Sequence, residues 1–179
     1  MGQRPATVFL DRDGTINVKA PEGAYITRPD ELALLPGAAE AVRRLNDAGV
    51  EVVIVTNQRG IARGIMSEAD YDAVTGALAA QLAEHGASWR AVYHCPHEAG
   101  ACTCRKPQPG LIDRARADLP ALDLHGAVLI GDSDSDVEAG RRAGLGTVPL
   151  ADPASARAEA SAADHVVPSL AAAVDWLLN

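Results

Sequence analysis

The chain has 179 residues, of which 47% are hydrophobic and 22% charged, as expected for one globular domain with a substantial core. Its net charge of −8 argues against a nucleic-acid surface, which requires a basic face. The sequence shows neither an apolar signal segment nor an apolar run of about eighteen residues, so we expect neither export nor a membrane anchor. The three cysteines are too closely spaced for a disulfide framework, and we therefore expect a reducing, cytoplasmic location.

Short apolar runs rich in β-branched residues alternate with segments of helical periodicity along the chain. The predicted strands are, in order, 7–10, 50–55, 91–94, 127–130 and 146–150. The predicted helices cover about 37–48, 67–85, 109–118 and 134–143, with a last helix from about Ser169 after a short apolar run at 165–167. The stretch 17–36 has three prolines and one glycine and is predicted to be a loop.

Strands separated by helices of about ten residues or more predict parallel pairing with right-handed crossovers. The expected fold class is α/β, with one Rossmann-like doubly wound parallel sheet, helices on both faces, and residues 1–179 in a single domain. Sites in such folds lie beyond the carboxyl ends of the strands, near the switch in strand order. The polar segments that follow strands are therefore the candidate site, namely 11–15, 56–58, 95–106 and 131–136.

Two acidic segments follow predicted strands. Asp11 and Asp13 follow the first strand, and Asp132, Asp134 and Asp136 follow the fourth. Either segment alone is equally compatible with aspartates that cap turns. Together they place several carboxylates at one edge of the sheet, where they repel one another unless a cation or a shared proton intervenes. Carboxylate oxygens suit a hard divalent ion, and the sequence therefore predicts a magnesium site.

Thr56 and Lys106 are candidate ligands for an anion. Thr56 ends a buried strand, where its hydroxyl either caps a turn or donates a hydrogen bond to a bound anion. Lys106 is one of only two lysines and lies between the cysteines and Pro107, either as a solvated charge or as a fixed cation. Carboxylates, a hydroxyl and a cation at one edge fit phosphoryl transfer, in which an aspartate can serve as nucleophile.

All three cysteines lie within ten residues of one another, in the pattern Cys-x-His-x4-Cys-x-Cys. The alternatives are three adjacent buried thiols or a redox Cys-x-Cys pair. Three thiolates and one imidazole complete a tetrahedral shell without an open position, which is typical of structural zinc. His94 is expected to end a strand rather than to bind the metal. The predicted zinc ligands are Cys95, His97, Cys102 and Cys104.

Four motifs carry a family resemblance: Asp-Arg-Asp-Gly-Thr at 11–15, Thr-Asn-Gln at 56–58, Arg-Lys-Pro at 105–107 and Gly-Asp-x-x-x-Asp at 131–136. In this order they resemble the haloacid dehalogenase superfamily of phosphatases. The resemblance implies that Asp11 attacks phosphorus and that Asp13 acts as general acid and then base. It implies that Thr56 and Lys106 hold the phosphoryl group. Magnesium would be bound by Asp11, Asp132 and the backbone carbonyl of Asp13, with Asp136 in support and Asp134 peripheral.

The predicted zinc loop resembles those found in one branch of this superfamily, whose members lack a cap domain. The branch contains the D-glycero-D-manno-heptose 1,7-bisphosphate phosphatases and the histidinol-phosphate phosphatases. The segments 55–64 and 104–110 look like the heptose enzymes, which implies hydrolysis of the 7-phosphate through an aspartyl-phosphate. Histidinol phosphate or another small sugar phosphate is the alternative substrate. By resemblance, Asn57, Gln58 and Arg105 contact the sugar or its second phosphate.

Arginines near these motifs offer further anion ligands. Arg59, and with it Arg63, either binds the phosphate that is not cleaved or is a solvated charge at a helix start. Two residues depart from the branch, because Ser133 replaces a basic residue and Arg59 replaces a small one. We expect a monomer that acts on a small phosphorylated sugar and binds neither nucleic acid nor membrane.

Overall fold

The computed structural model describes residues 4–151 and 165–179. The described strands are β1 (Thr7–Leu10), β2 (Glu51–Asn57), β3 (Ala91–Cys95), β4 (Val128–Gly131) and β5 (Gly146–Pro149). The described helices are α1 (Ala38–Asp47), α2 (Glu68–Glu84), α3 (Gly110–Asp118), α4 (Asp134–Arg142) and α5 (Leu170–Leu178). Strands and helices alternate from β1 to β5, as the hydrophobic pattern predicts.

The described strands form one sheet in the order β3-β2-β1-β4-β5, and every neighbouring pair is parallel. After β1 the chain adds β2 and β3 on one side, and then returns to add β4 and β5 on the other side. The strand order therefore switches between β1 and β4, which is where such folds form their sites. The predicted fold class is confirmed.

The two faces of the sheet are covered by different helices. Val8 and Leu10 of β1 pack into the core under α1, α2 and α5, whereas Phe9 packs into the core under α3 and α4. The same period of two divides Val52 and Ile54 from Val53 in β2. Both faces of the central strands are thus buried, which explains their continuous apolar sequences.

Most predicted elements agree with the structure to within one or two residues. Ser67 begins α2 as expected, because its hydroxyl accepts a hydrogen bond from the backbone of Asp70, whose carboxylate in turn accepts one from the Ser67 backbone. The short run at 165–167 contributes one isolated bridge, between Leu150 and Val167. The predicted loop at 17–36 contains a single 3-10 turn at Pro29–Glu31, which leaves the site without a cap domain in this stretch.

Candidate active site

Asp11 follows β1 directly, and its backbone amide extends the ladder by donating to the carbonyl of Ile130 in β4 (3.0 Å). The chain then turns sharply around the carbonyl of Arg12, which accepts hydrogen bonds from three successive amides. Gly14 allows this turn, with a φ of 89°, and a Cβ atom at position 14 would lie 2.2 Å from Oδ2 of Asp132. The turn therefore brings the two acidic segments into contact.

The second acidic segment connects β4 to the start of α4. Asp136 accepts hydrogen bonds from the backbone amide (3.1 Å) and the hydroxyl (2.6 Å) of Ser133, which caps α4. A Cβ atom at Gly131 would lie 2.3 Å from Cγ of Asp136, so only glycine fits there. Asp134 is exposed on the outer side of the turn, in agreement with its predicted peripheral position.

Three carboxylates converge at the switch point. Oxygen atoms of Asp11, Asp132 and Asp136 lie within 4.8 Å of one another. Asp11 and Asp132 line the cavity beside them, and Oδ1 of Asp132 is buried without a hydrogen-bond partner. A buried carboxylate oxygen with no donor, next to a second carboxylate, fits a hard divalent cation. Asp11 and Asp132 are thus the side chains that could hold magnesium.

Lys106 is the buried cation of this cluster. Its side chain is 3% exposed, and its ammonium lies 2.6 Å from Oδ1 of Asp11, 2.5 Å from Oδ1 of Asp136 and 2.8 Å from the carbonyl of Val55. The side chain of Asn57 bonds both the amide and the carbonyl of Lys106, at 3.0 Å each, and so fixes its backbone. Lys106 is a positioned charge rather than a solvated one.

Burial and charge act on the two members of this pair in different ways. Burial raises the pKa of Asp11 to about 7, against the opposing effect of the Lys106 ammonium and together with the charge of Asp136. Burial lowers the pKa of Lys106, but the carboxylates of Asp11 and Asp136 outweigh this effect and leave that pKa above its usual value. Lys106 therefore remains cationic at neutral pH, while burial holds the pKa of Asp11 above its usual value.

The carboxylate of Asp13 is held by three side chains. Arg12 donates to both of its oxygens (2.9–3.2 Å), Asn17 donates to Oδ1 (2.8 Å) and Gln58 donates to Oδ2 (2.9 Å). Arg12 is 1% exposed, and its guanidinium lies 5.9 Å from the ring centre of Tyr71. These contacts fix the position of a general acid or base.

Gln58 also donates to the hydroxyl oxygen of Thr56 (2.9 Å). This contact uses an acceptor site of the hydroxyl, so Thr56, which lines the cavity, can still donate its hydrogen to a bound anion. Gln58 itself is 2% exposed, and its amide nitrogen is used by Thr56 and Asp13. The structure thus gives Gln58 contacts that orient two neighbours.

A cavity of about 340 Å³ opens above these groups. Its walls combine the acidic cluster with cations and with the loop after β1. Besides residues already described, the lining includes Lys19, Ala20, Pro21, Glu22, Gly23, Ala24, Tyr25, Ile26, Arg59, Arg105, Ser133 and Ser135. The ammonium of Lys19 lies 2.9 Å from Oδ2 of Asp132. Partial burial lowers the pKa of Lys19, but its hydrogen bond to Asp132 and the nearby carboxylates raise it overall.

Arg59 is positioned rather than free at the cavity wall. Its Nε donates to the hydroxyl of Tyr25 (3.2 Å), and its guanidinium lies 3.8 Å from Glu98. Arg63 donates to the same carboxylate at 2.6 Å. Glu98 lies between Cys95 and Cys102, so these ion pairs join the loop that carries the cysteines to the segment after β2.

The four predicted zinc ligands form a compact cluster. The three sulfur atoms lie 3.2–3.5 Å apart, and Nδ1 of His97 lies 3.4 Å from Sγ of Cys104 and 3.6 Å from Sγ of Cys95. The cysteines are not joined by disulfides. A tetrahedral shell with zinc–sulfur bonds of about 2.3 Å places its sulfurs roughly 3.8 Å apart, so the cluster needs little adjustment to hold the ion.

The thiols of this cluster would not all ionise without a cation. Burial raises the pKa of Cys95 to about 12 and also raises the pKa of Cys104. Burial acts in the same direction on Cys102, but hydrogen bonds from Cys104 and from the Arg105 amide lower its pKa to about 7. A divalent ion would stabilise the remaining thiolates, so the donor set fits a metal. His94 lies outside the cluster, stacked on Tyr71 and 2.8 Å from Glu68.

Comparison with known proteins identifies the family. Residues 103–173 match a family model described as HAD-hydrolase-like. The D-glycero-beta-D-manno-heptose-1,7-bisphosphate 7-phosphatase of Salmonella typhi is 37% identical over 182 residues, which cover 96% of this chain and 94% of that protein. The chain belongs to the heptose bisphosphate phosphatase family.

Other members of this family are similar to the same extent. The D-glycero-alpha-D-manno-heptose-1,7-bisphosphate 7-phosphatase of Photorhabdus laumondii is 37% identical, over 76% of this chain and 77% of that protein. The crystal structure of D,D-heptose 1,7-bisphosphate phosphatase from B. bronchiseptica, complexed with magnesium and phosphate, matches with a TM-score of 0.86 and 35% identity. That match covers 96% of this chain and 97% of the other.

These comparisons confirm the family resemblance that the motifs indicate. They also confirm the assignment of the chain to the phosphoric monoester hydrolases. The structure brings together Asp11, Asp13, Thr56, Lys106 and Asp132, whose individual roles stay predictions. Asn57 supports the Lys106 backbone, and Arg105 lines the cavity. In the part of the chain that is described, no helix is both long and apolar enough to span a membrane.

Four residues of the site are not indicated by the sequence pattern, and one of them is Asn17, which donates to Asp13 from a loop without regular period. Arg12 lies inside the first motif, but nothing in the pattern shows that its side chain is buried against Asp13. Tyr25 and Lys19 lie in the loop after β1, which has no regular period. The only signal for Lys19 is that lysine is rare in this chain, and that signal gives no position in space.

Proposed function

We propose that the chain hydrolyses the 7-phosphate of D-glycero-D-manno-heptose 1,7-bisphosphate. The observation that carries this proposal is the buried contact of Lys106 with Asp11 and Asp136, beside Thr56 and the unpaired oxygen of Asp132. It is the arrangement that phosphoryl transfer to an aspartate requires. The names of relatives that match almost the whole chain give the substrate.

In the first step, an oxygen of Asp11 forms a bond to phosphorus while the bond from phosphorus to the sugar oxygen breaks. Asp13 gives its proton to the departing oxygen. The Lys106 ammonium and the Thr56 hydroxyl hold the phosphoryl oxygens. Arg12, Asn17 and Gln58 keep the Asp13 carboxylate in place, as their hydrogen bonds indicate.

In the second step, Asp13 takes a proton from water, the water oxygen attacks phosphorus, and the acyl-phosphate bond to Asp11 breaks. Inorganic phosphate leaves and the carboxylate of Asp11 is restored. Bound magnesium, held by Asp11 and Asp132, would neutralise the repulsion between Asp11 and the anionic phosphate. The magnesium in the B. bronchiseptica complex supports this assignment.

The cysteine cluster has a structural role in this proposal. Four protein ligands leave no open position, so zinc bound there would order the loop between β3 and α3 rather than act on the substrate. Arg105 and Lys106 follow Cys104 directly, and the amide of Arg105 donates to Sγ of Cys102 (3.3 Å). Zinc would thereby fix the backbone that carries the cations of the site.

Histidinol phosphate is a less suitable substrate. Its leaving group carries an amine and an imidazole, which call for acidic or aromatic partners. Outside the carboxylates and the lysine of the reaction centre, the cavity wall presents three cations, Lys19, Arg59 and Arg105, against one acidic residue, Glu22, with Tyr25 as its aromatic residue among those described. A second phosphate matches these cations better. The monomeric state and the cytoplasmic location stay predictions.

The test is phosphate release from both anomers of the heptose bisphosphate, compared with histidinol phosphate and fructose 1,6-bisphosphate. We expect at least a tenfold higher kcat/KM for a heptose bisphosphate, about 1.4 kcal/mol of selective binding in the transition state. Asp11→Asn should lower kcat at least about a thousandfold, whereas Asp134→Asn, which removes an exposed carboxylate, should retain activity. A preference for histidinol phosphate, or an active Asp11→Asn, would reject the proposal.

A further inference from the structure

Two lysines face the carboxylates of the site, and they are held very differently. Lys106 is buried, with three oxygen partners for its ammonium and a clamped backbone. The side chain of Lys19 is 57% exposed, and its ammonium donates to Oδ2 of Asp132 (2.9 Å). Lys106 is therefore a permanent part of the cluster, whereas Lys19 is a cation on a flexible stem that can leave at low cost.

Lys19 contacts Asp132, the same carboxylate that is expected to bind the metal. Asp132 offers one buried oxygen without a partner and one oxygen that is occupied by Lys19. A divalent ion bound to Asp132 would stand close to this ammonium, and the two positive charges would repel each other. Since the metal brings two charges and Lys19 one, the metal displaces Lys19 from the carboxylate.

The displaced ammonium remains at the cavity. Lys19 begins the run 19–26, which lines one wall, and the chain tethers its side chain to that wall. Three other cations belong to the lining, and each has partners of its own. Arg59 contacts Tyr25 and Glu98, Arg105 donates to the carbonyl of His97, and Lys106 is paired with Asp11 and Asp136. Glu22 is the acidic group of this loop that also lines the cavity, and it is exposed to solvent. A phosphate in the cavity offers the ammonium a stronger, multiply charged partner.

We propose that Lys19 is a substrate-binding residue that pairs with Asp132 in the metal-free protein and transfers to the phosphate of the ligand once magnesium is bound. The proposal deepens the proposed function, because it assigns a further phosphate ligand to the same site. It makes two separate claims: Lys19 competes with the metal, and it assists phosphate binding. Each claim can be measured by binding alone.

The first measurement is the affinity of magnesium for the zinc-loaded, magnesium-free protein, by titration calorimetry. Lys19→Met should bind magnesium roughly two- to fivefold more tightly than the wild type, the range expected for an exposed ion pair. Lys19→Arg keeps the charge and should stay close to the wild type. Unchanged or weaker magnesium binding by Lys19→Met would overturn the competition.

The matched control for net charge is Arg90→Met. Arg90 is exposed and precedes β3, at the opposite edge of the sheet from the carboxylates. The substitution Arg90→Met should leave the magnesium affinity within experimental error of the wild-type value. An equal gain in Arg90→Met and Lys19→Met would show a general effect of charge and would reject a specific contact with Asp132.

The second measurement is the affinity of inorganic phosphate for the same proteins in saturating magnesium. Here the sign reverses, and Lys19→Met should bind phosphate roughly five- to tenfold more weakly, as expected for one hydrogen bond from a solvent-exposed ammonium. Unchanged phosphate binding would remove Lys19 from the ligand shell. Neither measurement involves turnover, so a chain that fails to hydrolyse the heptose bisphosphate would refute the proposed function while leaving this test intact.

Discussion

At the level of single residues, the main pH-dependent change expected in the site is the protonation of the Asp11 carboxylate. Burial and the charge of Asp136 oppose the ionisation of Asp11, whereas the ammonium of Lys106 favours it. Burial has the largest effect and brings the pKa of Asp11 to about 7 in the absence of metal. The usual value for an aspartate is 3.8. The folded protein therefore retains a proton on Asp11 over a range of pH in which the unfolded chain has lost it.

This difference predicts a pH dependence of stability in the magnesium-free protein. Between about pH 4 and pH 7 the folded state holds more protons at Asp11, so the contribution of this group to the free energy of unfolding decreases as the pH rises. Asp11→Asn removes the titration. We expect the stability of Asp11→Asn relative to the wild type to increase from pH 4 to pH 7 and then to become constant.

The measurement is urea unfolding of both zinc-loaded proteins without added magnesium, at several pH values. The difference between the two proteins is the quantity to compare, because groups distant from Asp11 titrate alike in both and cancel. A difference that stays constant from pH 4 to pH 7 would show that Asp11 is ionised throughout this range. Its burial would then be outweighed by Lys106.

At the level of elements, the connection between β3 and α3 is a loop in which a cluster of side chains adds to a few backbone hydrogen bonds, such as the one from the amide of Ala101 to the carbonyl of Glu98. Its polar cluster consists of three thiols and one imidazole, and it is joined to the segment after β2 through Arg63 and Glu98. Lys106 follows at the end of this loop. Order in the loop and the position of the Lys106 side chain are therefore linked.

The two neighbouring histidines allow a matched test of this loop. His97→Gln removes a donor of the cluster, whereas His94→Gln alters a side chain that stacks on Tyr71 and contacts Glu68. We expect elemental analysis to find one zinc per chain in the wild type and in His94→Gln, and substantially less in His97→Gln. Hydrogen exchange in residues 96–106 should then be faster in His97→Gln, since metal and loop order are coupled.

Equal zinc content in both histidine variants would contradict the predicted ligand set. Absence of zinc from freshly purified wild-type protein, grown with zinc available, would contradict the site altogether. If His97→Gln loses zinc but its loop exchanges as slowly as in the wild type, the ion would not be what orders the segment that carries Lys106.

The predictability of these elements follows from the range of the interactions that form them. The strands and helices could be predicted from the sequence because local apolar periods specify them. The cysteine cluster could be predicted because its four donors lie within ten residues of one another. The contact of Lys19 with Asp132 joins residues 113 positions apart in sequence. The loop that carries Lys19 has no period, so only the folded structure reveals this contact.

For the same reason, motif residues were predicted by type and order but not by partner. Asn57 and Gln58 line the cavity, and their contact with the substrate stays a prediction. The sequence did not indicate that their amides also bond the Lys106 backbone and the Asp13 and Thr56 side chains. A motif gives the position of an amide along the chain. It does not give the direction in which that amide donates.

At the level of the whole molecule, the switch in strand order joins two parts of the chain at one ion site. Asp11 comes from the half of the sheet formed by β1, β2 and β3, and Asp132 comes from the half formed by β4 and β5. A cation bound to both carboxylates connects the two halves and binds only the folded state. Magnesium should therefore stabilise the entire fold rather than a local loop.

Magnesium at about 100 times its dissociation constant should add about 2.7 kcal/mol to the free energy of unfolding, roughly 5–11 °C in melting temperature for a chain of this size. Asp132→Asn should abolish the increase, because the oxygen that lacks a donor would be replaced or neutralised. Asp134→Asn removes the same charge two residues away, from an exposed side chain, and should melt with the wild-type increase. A magnesium-dependent shift of equal size in both variants would place the ion elsewhere, and the two halves of the sheet would then be held together by their apolar core and strand pairing alone.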